Sequence, residues 1–193
     1  MIKAVIFDCF GVIIADALSV MTSELHQTNP KSMNRVHTLL NQANTGQITS
    51  EESSREIAEI FGLSYETYRT QIATNEIKDE ELLGYIQGLR GNYKTALLSN
   101  IPKGSLSRRF SDDELRQYFD EVVASGEIGY AKPEAQAYEI VAERLGVRLD
   151  ECVFTDDREP YCEGAQAVGM KSIVYQDFQQ FRAELEQLLA NTQ

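Results

Sequence analysis

Residues 2–12, Ile-Lys-Ala-Val-Ile-Phe-Asp-Cys-Phe-Gly-Val, decide the fold class of this chain. The run over residues 2–7 is short, mostly apolar and rich in β-branched side chains, and it ends at the polar Asp8 and then Gly11. A parallel strand with helices on both faces is buried on both faces, so its sequence is almost continuously apolar. The stretch therefore predicts a buried parallel strand with a carboxylate at its carboxyl end.

Similar apolar runs recur later in the chain, which predicts further strands over residues 95–98, 120–124, 151–155 and 171–175. Helical patterns lie among these runs, and we predict helices over residues 111–119, 133–145 and 177–190, with Pro133 in the first turn of its helix. Strands that alternate with helices imply right-handed crossovers. We therefore expect an α/β fold with a doubly wound, Rossmann-like parallel sheet.

The interval over residues 15–90 contains no convincing strand pattern. It predicts consecutive helices, roughly over residues 16–28, 31–43, 50–61, 65–74 and 79–89. An all-helical insertion between the first and second strands is the simplest interpretation. We accordingly expect a core domain formed by residues 1–14 and 91–193, with residues 15–90 as a helical cap domain.

Composition limits the classes of partner. The 193 residues are 42% hydrophobic, which suits a chain with a substantial buried core. The formal net charge of −12 argues against general affinity for nucleic acid or an anionic membrane, because such partners need clustered Lys and Arg. No apolar stretch has the length of a membrane span or a signal peptide. The three cysteines lack zinc-like spacing, so we expect a reduced, cytoplasmic setting.

Polar residues follow the predicted strands at the points where those strands end. Asp8 follows the first, Ser99 and Asn100 the second, and Asp156-Asp157 the fourth, while Lys132 stands just before Pro133. Ligands of doubly wound sheets bind in the crevice beyond the carboxyl ends of the strands. We therefore expect three carboxylates, one ammonium and one hydroxyl to face a single crevice.

This set of side chains suits phosphate chemistry. Carboxylate oxygens such as those of Asp8, Asp156 and Asp157 are ligands that suit Mg²⁺, which also binds substrate phosphates. Ser99, Lys132 and backbone N–H groups near Pro102 can neutralise a phosphoryl group. A carboxylate beside Mg²⁺ can act as a nucleophile and form an aspartyl phosphate that water hydrolyses.

With these residues in place, the chain resembles the haloacid dehalogenase-like hydrolase superfamily, whose members are mostly magnesium-dependent phosphatases. Residues Ile6–Val12 resemble the first family motif, which implies that Asp8 is the nucleophile and that the backbone carbonyl of Phe10 binds the metal. Residues Leu98–Asn100 resemble the second motif, which implies phosphate binding by Ser99 and Asn100.

The later motifs follow in the same order. Lys132-Pro133 is similar to the third motif, whose lysine steadies both the nucleophile and the phosphoryl group, and Phe154–Asp157 resembles the fourth, an acidic metal-binding pair. A helical insertion after the first motif marks the small-cap members of the superfamily. The resemblance implies a Mg²⁺-dependent hydrolase of a small phosphorylated metabolite, similar to sugar phosphatases, and leaves the oligomeric state open.

Two positions depart from the family pattern. Phe10 stands where the usual second aspartate protonates the leaving group, and a phenyl ring cannot transfer a proton. Loss of general acid–base help typically costs about 10²–10⁴-fold in rate. Pro160 stands where many relatives have a further acidic residue, so we expect looser metal binding.

Three functions stay open on these residues. The first is a phosphatase that is slow or restricted to leaving groups that need little protonation. The second is a phosphate-binding protein without turnover, which Phe10 favours. The third is a metal-independent haloacid dehalogenase, in which Asp156 and Asp157 would have no task.

Other side chains are weaker candidates. His26, His37 or Asp16 could replace the missing acid if the cap folds over the site. Lys103, Arg108 and Arg109 follow the second motif and could attract an anionic substrate, although a solvated helix face is the simpler interpretation.

Overall fold

The computed structural model describes residues 1–190, apart from the side chains of residues 24–28. In that part of the chain the sheet consists of β1 (Ala4–Phe7), β2 (Lys94–Ser99), β3 (Glu121–Ala124), β4 (Cys152–Asp156) and β5 (Lys171–Val174). The strands are all parallel and lie in the order β3-β2-β1-β4-β5. The predicted α/β fold with a doubly wound parallel sheet is confirmed.

The helices flank this sheet or precede its second strand. They are α1 (Ala17–Thr28), α2 (Pro30–Asn44), α3 (Ser50–Ile60), α4 (Tyr65–Asn75), α5 (Glu80–Leu89), α6 (Asp112–Tyr118), α7 (Ser125–Ile128), α8 (Ala135–Leu145), α9 (Glu159–Ala167) and α10 (Phe178–Ala190). Short 3₁₀ turns cover Leu106–Arg108 and Leu149–Glu151. Sequence reasoning did not predict α7 and α9 as separate elements.

Both faces of the sheet are buried, which explains the continuous apolar sequence of β1. Val5 and Phe7 face one core cluster, where α5 and α10 contribute Leu82, Leu83, Phe181 and Leu185. Ala4 and Ile6 face the opposite cluster, where α8 and α9 contribute Tyr138, Val141 and Cys162. Successive strand residues point to opposite faces, so each face needs its own apolar layer.

Helices α1–α4, which we call the helical layer, have a core of their own. Val36, Leu39, Ile57, Ala58 and Tyr68 form this cluster. A capping box is present at the start of α3: the Thr49 hydroxyl accepts from the N–H of Glu52, and the Glu52 carboxylate accepts from the N–H of Thr49. Helix α5 instead packs in the sheet cluster, although it lies within residues 15–90. The division into core and cap at residues 15–90 stays a prediction.

The helix predicted over residues 133–145 begins later than expected. Its first residue is Ala135, and Glu134 is an extended N-cap with φ −64° and ψ 133°. A tight turn holds the preceding residues instead: the carboxylate of Glu134 accepts a hydrogen bond from the N–H of Ala131 at 2.8 Å. The placement of Pro133 in the first helical turn was therefore wrong, and Lys132 lies in this turn, with a cis peptide bond to Pro133.

The cysteines Cys9, Cys152 and Cys162 are free and buried. Among the described residues, no helix combines the length and the apolar character that a membrane span requires. The cytoplasmic location stays a prediction.

Candidate active site

The register of the sheet brings Asp8 and Asp156 side by side. Phe7 is paired with Leu97 of β2 and with Thr155 of β4, so the residues that follow leave the sheet at one edge. The N–H of Asp8 donates to the carbonyl of Thr155 at 2.9 Å, which continues the ladder by one residue. Asp8 is only 7% exposed. The end of β1 therefore fixes the backbone of the predicted nucleophile.

A tight turn follows Asp8. The N–H groups of Ile13 and Ile14 both donate to the carbonyl of Cys9, at 2.9 and 2.8 Å. Gly11 lies inside this turn with φ +87°, where a side chain would be strained. An added Cβ at Gly11 would also lie 2.5 Å from the carboxyl group of Asp157. Glycine at this position therefore lets Asp157 approach the turn that carries Asp8.

Lys132 links the two buried carboxylates. Its Nζ lies 2.5 Å from Oδ1 of Asp8 and 2.5 Å from Oδ2 of Asp156. The Lys132 side chain is 1% exposed, and that of Asp156 is fully buried. A buried charge is tolerated when it is paired and hydrogen-bonded, and this ammonium meets both conditions.

Burial and mutual charge shift the titration of this group. Burial raises the pKa of Asp8 to about 7, with Asp156 acting in the same direction and Lys132 opposing it. Loss of hydration and repulsion from Asp156 raise the pKa of Asp157 to about 6. The neighbouring carboxylates outweigh burial at Lys132 and raise its pKa, so this residue stays an ammonium.

The three carboxylates fit a divalent cation. Asp8, Asp156 and Asp157 each offer an oxygen, and these oxygens lie within 4.8 Å of one another. Asp157 is exposed while the other two are buried, so the cluster opens on one side. An all-oxygen donor set with one solvent-facing member suits Mg²⁺, which keeps several waters when bound.

Ser99, at the carboxyl end of β2, has a buried hydroxyl group at this edge of the sheet. Its Oγ is buried and has no hydrogen-bond partner among the described residues. Buried hydroxyls are almost always paired, so an unpaired one next to Asp8 and Lys132 needs an explanation. An oxygen of a bound anion would supply the missing partner.

Asn100 lines the same cavity, and its side chain hydrogen-bonds the backbone of Lys132. Its Nδ2 donates to the backbone carbonyl of Lys132 at 2.9 Å, and its Oδ1 accepts from the N–H of Lys132 at 2.8 Å. Both polar atoms of the side chain are thus engaged, and they tie the end of β2 to the turn that carries Lys132. Phosphate binding by Asn100 stays a prediction.

A cavity of about 490 Å³ lies between this edge of the sheet and the helical layer. Asp8, Ser99 and Lys132 line it from the sheet, and Leu40, Asn41, Ile57 and Tyr68 line it from the helical layer. Its ionisable lining includes Arg69, Arg108, Arg109, Lys132 and Arg158 against Asp8, Asp16 and Glu76. The cavity wall thus has a local excess of positive groups in a chain of net charge −12, which is what an anionic ligand requires.

Comparison with known proteins decides the family. Residues 2–169 match the family model described as haloacid dehalogenase-like hydrolase. The chain belongs to this family. The match covers β1 to the end of α9 and includes each of the predicted motif positions, so the resemblance inferred from those motifs is confirmed.

Individual relatives agree with that assignment. The chain is 25% identical over 215 aligned positions to D-ribitol-5-phosphate phosphatase of Bacteroides thetaiotaomicron, covering 98% of this chain and 99% of that protein. A phosphatase of Mycobacterium tuberculosis is 43% identical over 58 residues, which is 30% of this chain and 27% of that protein. A family enzyme of Bacteroides thetaiotaomicron in complex with magnesium and inorganic phosphate superposes with TM-score 0.72 and 23% identity over 94% of this chain and 99% of that one. The last comparison shows that the fold is shared.

The departures from the family pattern now have structural settings. Pro160 lies in the first turn of α9, where a missing N–H is tolerated. Phe10 is partly buried, and the guanidinium of Arg109 lies over its ring, 4.9 Å from the centroid. The position that holds an acid in many relatives is therefore filled by an aromatic ring under a cation.

The weaker candidates from the sequence differ in whether they line the cavity. Asp16 and His37 both line the cavity, and Oδ1 of Asp16 accepts from the N–H groups of Leu18 and Ser19 at the start of α1. Arg108 and Arg109 also line the cavity, whereas Lys103 is exposed and is not among the lining residues. The side chain of His26 lies outside the described residues, so the prediction that it serves as an acid stays a prediction.

Sequence reasoning missed several residues that hold the site together. Ser125 Oγ accepts from the N–H of Ile101 at 3.0 Å and donates to the carbonyl of Asn44 at 2.6 Å, so it joins the loop after β2 to the helical layer. Gly164 lies where a Cβ would be 2.8 Å from Pro133, and so permits the turn of Lys132 to pack against α9. Glu76 pairs with Arg109 across the cavity wall. No spacing signal in the sequence connects these pairs, because each joins distant segments.

Proposed function

We propose that this protein is a Mg²⁺-dependent phosphatase of small phosphate monoesters in which Asp8 is the nucleophile. The observation that carries the proposal is the position of Asp8: it is buried, bound to Lys132, and lies in the same cavity as the hydroxyl of Ser99, which has no hydrogen-bond partner in the described part of the chain. A nucleophile, a fixed ammonium and a free hydroxyl in one cavity are the groups that phosphoryl transfer needs. The D-ribitol-5-phosphate phosphatase among the relatives supports a small phosphate monoester as the substrate.

Lys132 and Ser99 would hold the phosphoryl group. The ammonium would neutralise part of its charge while Ser99 donates to one of its oxygens. Asn100 would act indirectly, because its side chain fixes the backbone on both sides of Lys132. The N–H of Ile101 donates to Ser125 Oγ and Pro102 has no N–H, so this proposal gives no role to the backbone N–H groups that were predicted to bind the anion near Pro102.

Asp8, Asp156 and Asp157 would hold the metal, together with the backbone carbonyl of Phe10. A bound Mg²⁺ would offset the charge of these carboxylates and of the phosphoryl oxygens. The close approach of Asp157 that Gly11 permits supports this role. Oδ1 of Asp156 also accepts from the N–H of Arg158 at 3.0 Å, which orients that carboxylate.

The proposed reaction has two displacements at phosphorus. An oxygen of Asp8 attacks phosphorus, the bond to the leaving-group oxygen breaks, and its electron pair goes to that oxygen, which then takes a proton from water. A second water then attacks phosphorus, and the bond between phosphorus and the Asp8 oxygen breaks, with its electron pair regenerating the carboxylate; inorganic phosphate leaves, and the proton that this water loses neutralises the hydroxide from the first step. Because Phe10 cannot protonate the leaving group, esters with acidic leaving groups, such as aryl, acyl and sugar 1-phosphates, would react fastest.

The helical layer would act as the cap of this site. It supplies one wall of the cavity and is joined to the loop after β2 through Ser125, Arg108 and Arg109. Closure of such a cap excludes water and selects substrates by the shape of the remaining space. A cavity of about 490 Å³ suits a ligand of the size of a small phosphorylated metabolite.

Phe10 also favours a second candidate, a protein that binds phosphate without turnover. The two functions differ in covalent chemistry, because a pure binder would never carry a phosphoryl group on Asp8. A metal-independent dehalogenase is less well supported, since the clustered Asp156 and Asp157 would then be acidic groups without a cation to bind.

A screen of phosphate esters with and without Mg²⁺ tests the proposal. Wild type should release inorganic phosphate in Mg²⁺, and release should stop in EDTA and in Asp8→Asn. Asp113→Asn is the matched control, because that carboxylate is 93% exposed and does not line the cavity. This variant should keep wild-type activity. Binding of inorganic phosphate without release from any ester would favour the binding protein, and EDTA-resistant release of halide from 2-chloropropionate would favour the dehalogenase.

A further inference from the structure

The guanidinium of Arg109 lies over the ring of Phe10, the residue at the position of the missing acid. Its guanidinium carbon lies 4.9 Å from the ring centroid of Phe10, two residues beyond the nucleophile. Its side chain is 16% exposed and lines the same cavity as Asp8, Ser99 and Lys132. A cation over an aromatic face is held by the ring quadrupole, and desolvation strengthens that contact. Phe10 cannot supply a proton, but its ring holds the Arg109 guanidinium close to the position of the missing acid.

The guanidinium is anchored on two sides and has donors to spare. Nη1 donates to the carbonyl of Ser105 at 3.0 Å, and Nη2 donates to Oε1 of Glu76 at the end of α4. The Nε is buried without a hydrogen-bond partner in the described part of the chain. A guanidinium carries more N–H groups than these two contacts use, and it does not lose its proton in proteins.

We propose that Arg109 replaces the missing acid by stabilising the negative charge on the leaving-group oxygen, through hydrogen bonds from its guanidinium, and that Glu76 is the residue that positions it. This inference rests on the proposed function, because it concerns the same displacement at phosphorus. As the bond between phosphorus and the leaving-group oxygen breaks, its electron pair moves to that oxygen, which accepts hydrogen bonds from the N–H groups of Arg109. The proton still comes from water, since Arg109 cannot give one.

Glu76 fixes the guanidinium without joining the reaction. Its side chain is 12% exposed, and the pair with Arg109 connects the end of α4 to the segment after β2. The pair therefore ties the helical layer to the edge of the sheet beside the cavity. A guanidinium held in advance needs no rearrangement when charge develops on the substrate, which is the condition for effective electrostatic catalysis.

The dependence of rate on the leaving group measures this role directly. The substrates are aryl phosphates whose phenols span a range of pKa, tested in Mg²⁺ with wild type, Arg109→Met and Arg109→Lys. Loss of a hydrogen-bond donor to a developing oxyanion lowers the rate by about 10²–10³-fold. In Arg109→Met, kcat/KM should therefore fall by about that factor for aryl phosphates of the least acidic phenols, and by less than about tenfold for those of the most acidic phenols. The plot of log(kcat/KM) against phenol pKa should therefore be steeper in Arg109→Met, with Arg109→Lys between the two.

The controls separate this role from a structural one. Arg55→Met removes an arginine from an exposed arginine–glutamate pair on α3, and its plot should match wild type. Glu76→Gln should steepen the plot less than Arg109→Met, since the donor is kept but less firmly held. Inhibition by inorganic phosphate should change little in Arg109→Met, because the proposal gives phosphate binding to Ser99 and Lys132. Calorimetric phosphate binding also reports whether each variant is folded.

Each outcome decides a different claim. If Arg109→Met lowers kcat/KM equally for every phenol, the proposed role of Arg109 is wrong. The role is also wrong if the plot becomes steeper in Asp16→Asn or His37→Gln but not in Arg109→Met. Neither result contradicts the proposed phosphatase activity. Absence of turnover in wild type with the entire series overturns the proposed function, and this inference with it.

Discussion

Replacing Lys132 with methionine should destabilise the fold much more than replacing a surface lysine. The Lys132 ammonium lies 2.5 Å from a carboxylate oxygen of Asp8 and 2.5 Å from one of Asp156, and its side chain is 1% exposed. Methionine keeps most of the volume and removes the charge, so two buried carboxylates lose their shared partner. Removal of one member of a buried ion pair costs about 3–5 kcal/mol, mainly because the remaining charge has no compensation.

The free energy of unfolding should be measured by urea denaturation in EDTA. With a slope of about 2 kcal/mol per molar urea, a loss of about 3–5 kcal/mol lowers the midpoint by about 1.5–2.5 M. Added Mg²⁺ should restore part of the loss, because a divalent cation held by the same carboxylates supplies the missing positive charge. Lys3→Met is the matched control: Lys3 pairs with Glu151 at 2.7 Å, but its side chain is 55% exposed. That exposed pair should contribute less than about 1 kcal/mol.

Two results would refute this reasoning. The first is a loss in Lys132→Met no larger than that in Lys3→Met. The second concerns the double variant Lys132→Met/Asp156→Asn, which removes one of the two stranded charges. It should be more stable than Lys132→Met alone, and equal stability would show that buried charge is not the cause of the loss.

Further predictions follow from single contacts at the site. Ser99→Ala should leave the free energy of unfolding unchanged, because Ser99 Oγ has no partner among the described residues. It should weaken inhibition by inorganic phosphate about tenfold, the equivalent of one hydrogen bond; a less stable variant with unchanged inhibition would contradict the assignment. Gly11→Ala should lower the free energy of unfolding, measured by urea denaturation, by about 1–2 kcal/mol, because residue 11 has a positive φ. It should also weaken Mg²⁺ binding measured by calorimetry, because its Cβ would meet the Asp157 carboxyl at 2.5 Å; unchanged Mg²⁺ affinity would remove Asp157 from the metal site. Asn100→Ala should lose about 2 kcal/mol of stability, from its two hydrogen bonds to the Lys132 backbone. It should lower kcat as well, because Lys132 is then less firmly placed, and a full kcat would show that the turn holds Lys132 without Asn100.

The sequence predicts the architecture well because the signals for it are local. The apolar run before Asp8 requires a strand covered on both faces, and the structure has those two cores. The helices predicted over residues 50–61 and 111–119 are present as α3 and α6, and each begins at a capping box, which is a local sequence pattern. Parallel strands then bring Asp8, Ser99 and Asp156 to one edge of the sheet, since carboxyl ends of parallel strands lie together.

The sequence fails where a contact joins segments without a local pattern. Arg109 and Glu76 are far apart in the chain, and each alone has the appearance of a surface residue. Phosphate binding was predicted for Asn100 because it follows Ser99, and nothing in the sequence indicates that its side-chain amide hydrogen-bonds the Lys132 backbone. The start of α8 was misplaced because proline favours a first helical turn in general, while the turn stabilised by Glu134 occupies that position here.

Covalent labelling of Asp8 during turnover tests the central claim most directly. Wild type is mixed with a ³²P-labelled aryl phosphate in Mg²⁺, quenched in acid within the first turnover, and digested for mass spectrometry. We expect the label on the peptide that contains Asp8, its release by hydroxylamine, and no label in Asp8→Asn. Label on another residue, or turnover that persists in Asp8→Asn, would contradict the assignment of Asp8 as the nucleophile.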